Sequence, residues 1–226
     1  MFKKNFTIYD KPFFNFVCED FLDPKLIYPI LNLDLDVKIV PLPKKNGVRT
    51  VTNNSRIFLN KKICEKIPEF KPILDIFESK DMKKMLFNKF NINFNKYKHL
   101  RLEYVRDVGD IFIKVHTDLE VKGISMLLYI SNDGKEEWGT DYYDINKKHY
   151  STVPFKFNLL CGFIPNEGKT NTPTYHGKEP LKIKGIRKLF IINYVTDEWR
   201  DKFELSNYDY SYYDNKFEII NITDIE

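Results

Sequence analysis

The chain has 226 residues, a length that suits one sizeable domain and is ample to bury a core. Hydrophobic residues make up 42% and aromatics 15%, which excludes an intrinsically disordered chain. The 36 basic and 32 acidic side chains leave a formal charge of +4, interleaved as on a solvated surface and too mild to call for nucleic acid as the main partner.

The basic start Met1-Phe2-Lys3-Lys4 has no apolar run behind it, so no signal peptide is read there. No later stretch approaches the apolar length of a membrane span. Pro12–Cys18 is aromatic and β-rich and predicts a first strand. Asp23-Pro24 then offers an N-cap and a proline at the first helical position, opening a short helix to about Leu31. Segment 33–55 is punctuated by Pro41, Pro43, Asn46-Gly47 and Asn53-Asn54, which predicts short extended pieces and turns. From Asn60 to Phe90 the spacing of Ile63, Ile67, Ile73, Phe77, Met82, Met85 and Leu86 is helical, with breaks at Pro68 and Pro72. Two or three helices are expected there, as a scaffold against a sheet.

After His99 the texture changes to short apolar runs between turns: Leu100–Val105, Ile111–Val115, Ile124–Ile130, Asp141–Ile145, Asn158–Ile164 and Leu189–Val195. Asn132-Asp133-Gly134 and Asn166-Glu167-Gly168 are turn clusters between them. Many short strands at this spacing predict a sandwich or barrel. The fold class is therefore α+β and β-dominated. One domain is expected over 1–226: a strand and supporting helices over 1–97, a β core over 98–196, and a polar, tyrosine-rich extension over 197–226 with a short helix near Trp199. The three cysteines, Cys18, Cys64 and Cys161, are odd in number and far apart, and form no C-x-x-C motif. Reduced thiols in a cytoplasmic protein are expected.

There are four histidines, His99, His116, His149 and His176. His116 and Asp118 close an apolar run two residues apart, so on an extended chain they face the same way and can converge on one metal ion. His176, sixty residues later (176 minus 116), sits in Thr174-Tyr175-His176-Gly177 and could supply a ligand from a distant strand. Two histidines and one carboxylate with open positions suit a non-haem Fe(II) site. Arg187 opens the apolar run Leu189–Val195. A guanidinium there is costly to bury unless it meets an anion, and a dicarboxylate would supply one. His149 lies in an expected loop and reads as a surface residue.

Over roughly residues 98–196 these pieces resemble, in order, the Fe(II)- and 2-oxoglutarate-dependent dioxygenases, nearest the prolyl-4-hydroxylase-like branch. The resemblance rests on Arg101-Leu102-Glu103-Tyr104, His116-Thr117-Asp118, Ser125–Ile130, Trp138-Gly139-Thr140, Asn158–Pro165, Thr174–Gly177 and Gly185-Ile186-Arg187. It implies a double-stranded β-helix (jelly roll) with N-terminal supporting helices. It implies that His116, Asp118 and His176 bind Fe(II), that Arg187 pairs with the distal carboxylate of 2-oxoglutarate, that Tyr129 donates to it, and that Tyr104 lines the pocket. The implied reaction consumes O₂, with ascorbate as reductant, and hydroxylates a C–H of a peptide or small-molecule substrate with release of succinate and CO₂. Asp118, absent from related halogenases, favours hydroxylation. The sequence departs from the family in having Gly139-Thr140 where a Gly-Gly pair is usual. A metal-dependent hydrolase of similar shape and a non-catalytic jelly-roll binding module are the alternatives. Loops over 33–55, 131–150 and 165–175 are expected to face the substrate.

Overall fold

The computed structural model of the chain describes residues 4–33, 35–36, 54–165, 172–208 and 220–221. Most of loop 33–55, the Asn166-Glu167-Gly168 turn and most of the extension beyond 208 lie outside the described residues. Among those described, no helix is long and apolar enough to cross a membrane.

Strands β1 (Thr7–Tyr9) and β2 (Asn15–Cys18) precede helix α1 (Pro24–Leu31). Asp23 caps α1, its carboxylate accepting from the Lys25 amide at 3.0 Å, with Pro24 in the first turn as the sequence predicts. The short strands β3 (Leu35–Asp36) and β4 (Asn54–Phe58) follow, then helices α2 (Lys61–Lys66), α3 (Lys71–Glu78) and α4 (Lys80–Phe90). Pro68 opens a single 3₁₀ turn, whereas Pro72 starts α3 and does not break it, because a first-turn residue has no intrahelical N–H bond to lose.

The remaining strands are β5 (His99–His116), β6 (Lys122–Tyr129), β7 (Thr140–Tyr143), β8 (His149–Val153), β9 (Leu159–Phe163), β10 (His176–Val195) and β11 (Ile220–Asn221). Three expectations are corrected here. Leu100–Val105 and Ile111–Val115 are one strand, and Arg187 lies well inside β10, not at its start. His149 begins β8 and is not in a loop.

One sheet runs β1-β2-β9-β6-β10-β5-β4, with β7 and β8 continuing from the start of β10. The C-terminal half of β10 pairs with β6 and the first part of β5, while its first residues pair with β7 and the end of β5. The long β5–β10 ribbon thus belongs to both layers of the jelly roll. Its register slips between Lys182 and Ile186. Gly185 sits in that slip at φ +135°, a conformation that L side chains rarely adopt.

Leu189–Val195 reads as a continuous apolar run because both faces are covered. Phe190, Ile192 and Tyr194 point to the helices, and Leu189 and Ile191 to the opposite layer. Against the helix side pack Phe70 on Tyr104 (5.0 Å between ring centroids), Phe90 on Phe16 (4.1 Å) and Phe87 on Tyr194 (5.3 Å). The second apolar cluster, between the layers, contains Phe13, Val105, Tyr129, Trp138, Tyr142, Phe155, Cys161 and Phe163. The three cysteines are buried free thiols.

Candidate active site

The end of β5 and the start of β10 are paired so that His116 and His176 are direct cross-strand partners, their ring centroids 4.3 Å apart. Each ring is steered the same way. The Nδ1 of His116 lies 2.8 Å from the Lys114 carbonyl, and that of His176 lies 2.9 Å from the Thr174 carbonyl. A carbonyl only accepts, so both Nδ1 atoms carry the proton and both Nε2 lone pairs remain for a metal. Asp118 completes the group: one ligand atom from each of His116, Asp118 and His176 lies within 4.8 Å of the others.

The electrostatics suit a cation. Burial, opposed by Asp118 and reinforced by His116, pushes His176 down to about 4, which keeps it neutral at physiological pH. For Asp118 burial acts upward, but Lys122 and His176 outweigh it and hold the carboxyl far below its usual range. Lys122 Nζ donates to Asp118 Oδ1 at 2.6 Å, and the Ser125 hydroxyl donates to Oδ2. Phe163 covers one side, its ring 4.5 Å from that of His176. Two imidazoles and one ionised carboxylate, brought together, fit a divalent iron centre with open positions.

Arg187 is buried between the layers at 2% exposure. Its Nε donates to the Trp138 carbonyl at 2.7 Å and its Nη1 to Asp107 Oδ2 at 2.6 Å. The guanidinium lies 5.9 Å from the Tyr129 ring centroid and 5.7 Å from that of Phe155. The remaining N–H groups of its fork have no bond among the described residues, so they can receive a second carboxylate. Asp107 Oδ1, equally buried, has no hydrogen-bond partner there either. The Tyr129 hydroxyl bonds Thr140 Oγ1 at 2.7 Å and takes the Cys161 thiol at 3.5 Å; burial pushes its own ionisation upward. The Tyr142 hydroxyl makes no hydrogen bond to a described nitrogen or oxygen, and its polar neighbour is the same Cys161 thiol.

Of the residues singled out in the sequence, the structure brings His116, Asp118 and His176 together, and sets Arg187 beside Tyr129. It does not bring Tyr104 to them. Tyr104 is wedged between Phe70 and Phe190 in the helix–sheet core. The cause is strand alternation: on β5 it is Val105 and Asp107 that face the other layer. His149 stays outside, its Nε2 3.1 Å from Thr152 Oγ1 and 3.8 Å from Asp141. Asp107 and Tyr142 are not singled out in the sequence, and Ser125 and Thr140 appear there only within family-like segments, with no role assigned. An acid inside the strand-forming stretch around Val105 was the one available signal for Asp107.

No protein-family model matches the sequence, and no curated protein matches it. Solved structures do. A prolyl 4-hydroxylase from Phytophthora capsici is 15% identical over 82% of this chain, with a TM-score of 0.53. The chain spans 59% of that protein's length. A Pseudomonas putida prolyl-4-hydroxylase is 12% identical over 80% of this chain and 92% of its own, with a TM-score of 0.51. A prolyl hydroxylase from Trichoplax adhaerens, solved with a peptide fragment of the hypoxia inducible factor oxygen degradation domain, is 14% identical over 80% of this chain and 83% of its own, with a TM-score of 0.54. These likenesses show the fold.

Proposed function

We propose that the protein is an Fe(II)- and 2-oxoglutarate-dependent dioxygenase that hydroxylates a C–H bond of a peptide residue or small molecule, releasing succinate and CO₂. The observation that carries this is the convergence of the His116 and His176 Nε2 atoms with Asp118 at one end of the space between the layers. The iron, when bound, supplies O₂ activation coupled to decarboxylation of the keto acid. The chain supplies placement. His116, Asp118 and His176 hold the metal. Arg187 anchors the distal carboxylate through the unbonded part of its fork, and Tyr129 and Tyr142 offer hydroxyls beside it. Phe155, Phe163 and Trp138 keep the space between the layers apolar and exclude water. A hydrolase needs no buried guanidinium in this position, and a binding module needs no pair of steered imidazoles. The fold shared with a peptide-bound prolyl hydroxylase supports a peptide as substrate. Three free buried cysteines support a reducing, cytoplasmic setting, and the continuous sheet supports one domain.

The test is succinate release from 2-oxoglutarate with Fe(II), O₂ and ascorbate, screened against peptides and small molecules. Wild type should turn over. His116→Ala, Asp118→Ala and His176→Ala should lose turnover and bind Fe(II) far more weakly while remaining folded. Full iron affinity in any of the three would remove that residue from the centre.

A further inference from the structure

We infer that the C-terminal segment Trp199–Glu204 orients Asp118 through a directional hydrogen-bond relay made of Arg101, Asn193 and Ser125; this rests on the metal-site reading above. The direction follows from chemistry, starting at a group that can only donate. Arg101, 1% exposed, donates from Nη1 to Asn193 Oδ1 at 3.1 Å. That contact fixes the amide, since its nitrogen could not face a guanidinium. Asn193 Nδ2 therefore faces Ser125 Oγ, at 3.0 Å, and donates to it. With its oxygen engaged, the Ser125 hydroxyl donates onward to Asp118 Oδ2. Reversing either of the first two links would leave a buried donor facing a donor, and reversing the last would require a protonated Asp118.

The head of the relay belongs to the C-terminal segment. Arg101 Nε donates to Glu204, in the turn Lys202–Glu204, and its Nη2 donates to Glu103 at 2.8 Å. Its guanidinium lies 5.0 Å from the Phe58 ring centroid and 5.5 Å from that of Trp199. The segment is fastened to β5 by its backbone, the Ser206 amide donating to the Leu100 carbonyl at 2.9 Å. Trp199 also lies 5.8 Å from Lys122 Nζ, the donor to the other oxygen of Asp118. Both donors on the metal-binding carboxylate thus lead back to residues 199–204. The two bonds, one to each oxygen, hold the orientation of the carboxylate toward the two imidazoles. Ser125, Asn193, Arg101 and Glu204 are positioning residues in this scheme.

The experiment measures Mn(II) affinity of the full chain, by the electron paramagnetic resonance signal of free Mn(II), together with the visible absorption of the Co(II) form. Ser125→Ala should weaken Mn(II) binding by about tenfold to a hundredfold and shift the Co(II) bands. Glu204→Ala should act in the same direction, more weakly. The double variant should lose no more than Ser125→Ala alone, because the relay is one path. Should Glu204→Ala fail to fold, Glu204→Met, which keeps most of the side-chain volume but cannot accept the Arg101 bond, replaces it in the cycle. Additive losses, or undiminished affinity in Ser125→Ala beside tight wild-type binding, would overturn the relay alone. Wild-type protein that binds no divalent ion would overturn the metal reading, and the relay with it.

Discussion

Arg187 and Asp107 face each other across β10 and β5, each 2% exposed, joined at 2.6 Å. Truncating one member of such a pair strands a charge away from water and costs about 3–5 kcal/mol. Asp107→Ala should therefore lower stability by about that amount in chemical denaturation. On the proposed function, saturating 2-oxoglutarate with Mn(II) would bring a carboxylate to the stranded guanidinium, so it should raise the stability of the variant more than that of wild type. Equal ligand-induced gains would mean that the co-substrate does not meet Arg187. The pair also marks where sequence reading ends at this scale. His116 and Asp118 are legible because their alignment is local, His116 ending β5 and Asp118 lying two residues beyond it. Asp107 as the partner of Arg187 depends on the register of two strands eighty residues apart (187 minus 107), which no local pattern encodes.

Among elements, alternation decides which side chains enter the space between layers. Counting by two from Arg187 correctly sets Leu189 and Ile191 on the inner face, but the phase of β5 is hidden by apolar residues on both of its faces. Tyr104 and Val105 are equally plausible inner residues by composition, and the helices take Tyr104. The β7–β8 pair shows a second limit. Where the family resemblance suggested two glycines, Gly139 alone is required by space. A Cβ at Gly139 would lie 1.7 Å from the Val153 carbonyl oxygen, while Thr140 uses its hydroxyl to hold Tyr129. Gly139→Ala must push β7 off β8, displacing the Trp138 carbonyl from Arg187 and Thr140 from Tyr129. Overpacking of this kind costs about 1–3 kcal/mol. The variant should melt earlier and bind 2-oxoglutarate several-fold more weakly, and Mn(II) affinity should fall less, because β7 meets the triad only where Tyr142 pairs with His176. Unchanged melting and co-substrate binding would show that β8 yields without consequence.

For the molecule as a whole, the order of helices then strands, the turn clusters and the apolar runs were enough to anticipate a β-dominated α+β fold with helical support, and the family resemblance supplied the jelly roll. The two-layer membership of β5 and β10 was not legible. β5 reads as two short runs and β10 as one, Leu189–Val195, because their middles, around Gly109 and Gly185, are polar and pass through positive φ. That long β10 has a kinetic consequence. His116 and Asp118 are held by β5, but His176 arrives only with a strand that must also find β6 and β7. Pairings of such high sequence separation form late, after the entropy of long loops has been overcome. The proposed metal centre should therefore be assembled on the native side of the folding barrier. Stopped-flow folding in denaturant with and without saturating Mn(II) reads this directly: the ion should slow unfolding and leave the refolding rate unchanged. Faster refolding with the ion would instead put the triad in the transition state, making β10 docking an early event and the ion a nucleus for it.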